Sequence, residues 1–352
     1  MMRSLKFIKT GFSMKKKRFV LSGYFGFKNF GDEAILSVLV AKLREYGHKI
    51  TVISSDTKYT KSKFRFVRSV YTFNIRDLIG AIAKSDFVIS GGGSLLQDTT
   101  SFKSLIYYLF VIFMGLILGK KVIIFAQGIG PISNPFGKFL TGFLLKFCTY
   151  VSVRDAKSQE LLKKWSVNSE LLCDPIFSTV IPEIPKEKRV AVQLRNCAMM
   201  NEDFIDRLAQ SVVTNFSDYM IDIYSFQDLL DLEVCKKFEH AVKLLNSDTK
   251  TTIFSGLTDE ETVNNIAKSE FMVAMRFHAL IVGLLSKVKV LGINYDIKVE
   301  KLAKEFGFPL VGLKKSFTNE FSTVKNLDMQ AIEHLVKNKN FDWSSFERVI
   351  NG

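Results

Sequence analysis

Histidine is scarce. Four occur in 352 residues, His48, His240, His278 and His334, so few side chains can pass a proton near neutral pH. Cysteine is as rare, and Cys148, Cys173, Cys197 and Cys235 lie far apart with no CxxC pair. That spacing argues against a zinc ribbon or a disulfide framework and fits a reducing, cytoplasmic compartment. Nothing resembles a metal-ligand cluster. The first twenty residues are basic with no apolar stretch, so no secretory signal is expected. Residues 1–13 read as an N-terminal extension, with Met14 as the expected true start. The longest apolar run, Leu105–Leu118, is too short for a comfortable bilayer span. It reads as a buried or interface helix, the alternative being a helix that touches a membrane surface. No nucleic-acid-binding motif is present, which argues against a basic, non-catalytic nucleic-acid binder.

What is present supports a large core. Hydrophobic residues make up 47% of the chain, and 49 basic against 35 acidic residues leave a net charge of +14. Such a surplus favours anionic partners: nucleic acid, acidic lipid or phosphorylated substrates.

Short apolar runs alternate with helical patterns from Arg18 to about residue 165. RFVLS (18–22), KITVIS (49–54), DFVISGGG, KVIIFAQGIGP (121–131) and YVSVRD (150–155) read as buried parallel strands. Three of the six prolines fall in CDPIFSTVIPEIPKEK (173–188), which reads as a linker. The alternation then restarts with RVAVQLR (189–195), MIDIYSF, TTIFSG, FMVAM and KVLGINYD. The expected fold is α/β, with two Rossmann-like domains facing a cleft between their carboxyl edges. The expected boundaries are 14–175, a linker 176–188, 189–314, and a helical tail 315–352.

Function-bearing residues cluster at predicted strand ends. After the first strand comes GYFGFKNFGDEAIL, with Gly26 and Asn29 leading to Asp32 and Glu33 at a helix start. Capping and dipole compensation account for a carboxylate there. They do not account for the glycines before it, and the spacing is not the dinucleotide GxGxxG. GGGSLLQD supplies Gly92, Gly93, Gln97 and Asp98, and AQGIGP supplies Gln127. Glycines there let backbone approach a ligand, and Gln97 and Asp98 suit a polyhydroxyl ligand. In the second half, AMRFHALI puts Arg276 and His278 at a strand-to-helix turn, and Arg154 and Arg195 also end strands. Arginines converging on one cleft would bind phosphate and carboxylate bidentately.

GYFGFKNFGDEAIL, GGGSLLQD, AQGIGP, VSVRD, CDP, AMRFHALI and INYDIKV, in that order, resemble the polysaccharide pyruvyl transferase family over roughly Arg18–Leu310. The resemblance implies a GT-B-like fold and transfer of pyruvate from phosphoenolpyruvate to a sugar hydroxyl pair, forming a cyclic ketal. It implies a glycan acceptor of an exopolysaccharide or cell-wall polymer, often lipid-linked, with peripheral contact at the inner face of the cell membrane, and no cofactor beyond the co-substrate. Arg276 and His278 match the family's active-site motif, with Phe277 where many relatives carry leucine. Arg154, Arg195 and Lys298 then become donor ligands. Gly26, Asn29, Asp32, Glu33, Gly92, Gly93, Gln97, Asp98 and Gln127 become acceptor ligands, with Asp32, Glu33 or Asp98 as the base. The competing reading is a nucleotide-sugar-dependent glycosyltransferase on the same fold.

Overall fold

The computed structural model describes residues 16–197, 200–315, 317 and 319–352. The expected extension 1–13 and Met14 lie outside the described residues. In chain order the first half runs β1 (Arg18–Ser22), α1 (Phe30–Glu45), β2 (Lys49–Ser54), α2 (Thr57–Lys63), β3 (Arg68–Tyr71), α3 (Ile75–Ala83) and β4 (Phe87–Gly91). It continues through α4 (Phe102–Ile117), β5 (Lys121–Gln127), α5 (Pro135–Leu145), β6 (Tyr150–Val153), α6 (Ala156–Lys164) and β7 (Glu170–Leu171). A short 3-10 turn, Pro175–Ser178, leads towards the second half.

That half comprises β8 (Glu187–Gln193), α7 (Glu202–Asn215), β9 (Met220–Tyr224), α8 (Asp228–Leu245), β10 (Thr251–Phe254), α9 (Asp259–Ile266) and β11 (Ser269–Ala274). After it come α10 (Phe277–Leu285), β12 (Lys289–Asn294), α11 (Ile297–Phe306) and β13 (Leu310–Gly312). Helices α12 (Glu320–Lys325), α13 (Met329–Asn338) and α14 (Ser344–Asn351) close the chain.

All strands pair in parallel, in the orders β3-β2-β1-β4-β5-β6-β7 and β10-β9-β8-β11-β12-β13. Both orders reverse direction after their first strand, at β1/β4 and β8/β11. Such switch points open a crevice at the carboxyl ends of the strands. The central strands are buried on both faces, as their unbroken Val, Ile, Leu and Phe content requires.

The sequence pattern passed over residues 57–71. Helix α2, TKYTKSK, has no apolar periodicity; the Asp56 side chain starts it by accepting from the Tyr59 N–H at 2.9 Å. Strand β3 is a four-residue sheet edge, too short to stand out. The tail also does more than trail from the second sheet. Phe341, Trp343 and Phe346 pack around Phe125 of β5, with ring centroids 5.2–5.5 Å away. Tyr46 donates to Glu347 at 2.7 Å, so α14 is anchored on the first half.

Helix α4 buries Leu105, Tyr108, Leu109, Val111, Ile112 and Gly115 against its sheet, and leaves Phe113 and Ile117 in solvent. Among the described residues no helix is long and apolar enough to cross a membrane.

Candidate active site

A cavity of about 180 Å³ lies where the two switch points face each other. The loop after β1 brings Asn29, the first turn of α1 brings Gly31 and Asp32, and the loop after β4 brings Gly93 and Ser94. The ends of β6, β8 and β11 contribute Arg154, Arg195, Arg276 and His278, the turn after β12 adds Tyr295, and the first turn of α11 adds Lys298. Residues spread over more than 260 positions thus meet because each follows a strand whose carboxyl end faces the same crevice.

The β1–α1 loop is built by its own polar groups. The Asn29 side chain accepts from the Gly31 N–H at 3.1 Å, capping α1, and donates to Gln227 of the other half at 3.0 Å. A Cβ on Gly31 would fall 1.9 Å from His278 Nδ1, so only glycine lets that ring lie against the start of α1. On the other side, His278 Nε2 sits 3.4 Å from Asp174 Oδ2. Asp174 is buried, and it also pairs with Arg154. Burial pushes the Asp174 carboxyl up, but the His278 and Arg154 charges outweigh it and hold the carboxyl well below its usual range. Burial pulls His278 below its ordinary value, against the attraction of Asp174.

The cations fall into two sets. Arg276 is buried and its fork is occupied: Nε and Nη2 donate to the two Asp231 oxygens, each at 2.8 Å. Its backbone N–H donates to Gln193 Oε1 at 2.8 Å, which fixes the turn into α10. Arg154 pairs with Asp174, donates to Ser94 Oγ at 3.1 Å and lies over the Phe277 ring. Phe277 thereby supports a cation rather than lining the cavity alone. Arg195 donates to the Tyr295 hydroxyl at 3.2 Å and lies over the Tyr295 ring, and Lys298 Nζ reaches Ser94 Oγ at 3.0 Å. Among the described residues neither Arg195 nor Lys298 forms an ion pair with a carboxylate. Burial lowers the Lys298 ammonium from its ordinary value, with Arg154 adding to the effect. An incoming anion would supply the countercharge these two lack.

Two carboxylates line this cavity: Asp296, which caps α11 by accepting from the Lys298 backbone N–H at 2.8 Å, and Asp32. Burial raises the Asp32 pKa to about 7, the Glu33 charge adds to the rise, and Arg154 and Arg276 oppose it. Gly93, at φ +72°, passes so close that a Cβ there would lie 2.7 Å from Asp32 Oδ1. A carboxyl titrating near neutrality in a ligand-sized crevice can give or accept a proton.

Of the residues expected from sequence at the site, Asn29, Asp32, Gly93, Arg154, Arg195, Arg276, His278 and Lys298 line this cavity. The others lie elsewhere. Glu33 points away, accepting from the Gly26 N–H at 2.7 Å and facing Lys63, which pairs with Asp259 of the second half at 2.9 Å. Gly26 is therefore used to receive Glu33. Gly92 backs onto Ile35 in the core. Gln97 bonds within its own loop, to Thr99 and Thr100. Asp98 accepts from the Ser133 and Asn134 N–H groups at 2.8 Å, a loop brace. Gln127 is buried and donates to Ser90. Each satisfies a local backbone or core demand that strand-end position alone does not distinguish from ligand binding.

Four important residues were not singled out. Ser94, Asp174 and Tyr295 sit inside the quoted motifs GGGSLLQD, CDP and INYDIKV, so position within a motif could have marked them. Asp231 lies in the first turn of α8 with no local signal; only its pairing with Arg276, 45 residues on, reveals it.

Several solved structures share the architecture. UDP-GlcNAc 2-epimerase from Methanocaldococcus jannaschii is 12% identical at a TM-score of 0.63, covering 95% of this chain and 98% of that one. A glycosyltransferase from Rickettsia africae is 15% identical at 0.61, covering 96% and 99%. HepE from Anabaena, solved with UDP-glucose, is 10% identical at 0.61, covering 95% and 98%. At such identities the likeness establishes the fold, two Rossmann-like domains of the GT-B type. No curated protein matches the chain in sequence. The polysaccharide pyruvyl transferase profile matches residues 29–297, well over half of the chain. The chain belongs to the polysaccharide pyruvyl transferase family, a family of transferases.

Proposed function

We propose that the protein transfers pyruvate from phosphoenolpyruvate to two hydroxyls of a glycan, forming a cyclic ketal and releasing inorganic phosphate. The observation that carries the reading is the meeting of Arg154, Arg195, Arg276 and Lys298 in one small crevice beside His278 and Asp32. At about 180 Å³ the cavity is below the range for drug-sized ligands, and a three-carbon donor suits it. A molecule carrying both a phosphate and a carboxylate needs cations on two sides. Arg195 and Lys298, which form no ion pair with a carboxylate among the described residues, answer that need.

In the mechanism we assign, a proton goes to C3 of the enol, making C2 electrophilic. One sugar hydroxyl bonds to C2 and gives up its proton, so the methyl group gains one proton and the hydroxyl loses one. The C2–O bond to phosphate then breaks. The second hydroxyl closes the ring on C2, and its proton leaves with the phosphate. His278, oriented by Asp174, is the general acid; bound donor, being anionic, raises the histidine's pKa as it arrives. Asp32 takes the proton of the attacking hydroxyl. The arginines and Lys298 stabilise the departing phosphate. No step in this sequence calls for a metal. The second half would hold the donor and the first the acceptor. A lipid-linked acceptor would set the enzyme at the inner face of the cell membrane.

The test incubates purified protein with phosphoenolpyruvate and a synthetic or lipid-linked disaccharide, then measures released phosphate and a pyruvate-sized mass gain on the glycan. Release of phosphate with the mass gain supports the reading. Consumption of a nucleotide sugar, with phosphoenolpyruvate untouched, overturns it in favour of a glycosyltransferase.

A further inference from the structure

Helices α4 and α5 lie side by side on one face of the first sheet and turn an apolar surface outward. On α5, Phe136, Phe139 and Phe143 follow helical spacing, and Phe147 continues the stripe just past the helix end. Phe139 is 67% exposed, and its ring centroid is 6.0 Å from that of Phe143, which is 5.1 Å from that of Phe147. On α4, Phe113 and Ile117 are exposed in the same way, one turn apart. Nothing in the catalytic reading uses these side chains. Phenylalanines in a row at this exposure mark a surface that meets something.

The charge around them says what. From Thr99 to Arg154 the chain contains no aspartate or glutamate, although one residue in ten is acidic over the whole sequence. The same segment carries Lys103, Lys120, Lys121, Lys138 and Lys146. By helical position Lys146 falls within the phenylalanine stripe and Lys138 on its flank. Lys120 is tied back to the Ala83 carbonyl, whereas Lys103, Lys138 and Lys146 are exposed. A second copy docking through this face by a two-fold axis would set lysine against lysine. An anionic bilayer satisfies both features, since the rings enter the acyl boundary and the lysines meet the headgroups.

We propose that the α4–α5 face is a docking surface for an anionic lipid bilayer. The full-length protein should co-sediment with vesicles of phosphatidylcholine plus phosphatidylglycerol and far less with phosphatidylcholine alone, the binding weakening as salt rises. The triple variant F139S/F143S/F147S should bind at least about tenfold more weakly. Each lysine near such a surface contributes about fivefold, so K103E/K138E/K146E should lose more than about a hundredfold. The lysine variant keeps the test valid if the serine variant fails to fold. Light scattering without lipid should show that neither variant changes the oligomeric state. Equal binding to both vesicle types, no binding to either, or a dimer that these substitutions dissociate would each overturn the proposal. Sedimentation involves no turnover, so its result is independent of whether pyruvyl transfer is observed.

Discussion

In the first half of the molecule, the segments after β1 and β4 bring backbone and small groups to the cavity: Gly31, Gly93 and Ser94, with Asp32 among them. The same two places in the second half's strand order, after β8 and β11, bring Arg195, Arg276 and His278. Topology is shared and chemistry is not. The first half supplies close approach, because Gly31 and Gly93 allow a ring and a carboxylate to lie where a Cβ would stand. The second half supplies most of the positive charge and the imidazole. Strand order therefore determines where side chains converge, while residue choice at each loop determines what the cleft can do.

The largest effects should come from the two proton-transfer groups, one from each half. His278→Ala and Asp32→Asn should each lower kcat by about 10²–10⁴. Circular dichroism should show an unchanged fold. Gly31→Ala sharpens the contrast between halves. It removes no charge, yet its methyl would meet the His278 ring at Nδ1. We expect a loss approaching that of His278→Ala; near-normal turnover would mean that the ring position is not critical.

Next in size is the buried pair that holds Arg276. Asp231 is fully buried, and both of its oxygens accept from the guanidinium. Asp231→Ala would leave that charge buried and unpaired, at a cost of about 3–5 kcal/mol, read as a lower urea midpoint. Arg195→Ala should behave differently. Among the described residues no carboxylate pairs with Arg195, so stability should barely move. The KM for phosphoenolpyruvate should rise about 10–100-fold through the loss of a charged hydrogen bond. A large stability loss in Arg195→Ala, or an unchanged KM, would erase the distinction between structural and ligand-facing arginines.

That distinction also marks how far the sequence could be read. Alternating apolar runs gave away both sheets, because parallel strands buried on two faces have little freedom in composition. Strand-end arginines were legible for the same reason: in this fold the carboxyl ends share one crevice. Which arginines are already neutralised was not legible, since Asp231 reaches Arg276 across 45 positions and Asp174 reaches Arg154 across 20. Asp32 and Glu33 show the limit most clearly. They are adjacent acids in the first turn of α1, and successive helical positions point about 100° apart. One enters the cavity, and the other turns to Gly26, Lys63 and the far side of the helix. The aromatic tail segment, likewise, gave no hint that Phe346 and Trp343 return to Phe125.

The last test concerns pH and reads Asp32 without turnover. Its pKa is raised from 3.8 to about 7 in the folded chain, chiefly by burial. Between about pH 4 and 7 the folded protein therefore holds a proton that the unfolded chain has released. Stability contributed by this group must then fall as pH rises through that window, with a slope of at most about 1.4 kcal/mol per pH unit. Water in the open cavity reduces the slope below that bound. Asp32→Asn, which cannot ionise, should lose this component, so the variant gains on the parent protein as pH rises from 4 to 7 and the difference levels off above. Urea unfolding of both proteins across the range reads the difference directly. Glu33→Gln cannot imitate the result through the cavity, because Glu33 faces Lys63, and its removal also breaks an ionic contact. Parallel stability curves for the parent and Asp32→Asn would place the Asp32 carboxyl in an ordinary environment and leave the first half with shape alone to contribute.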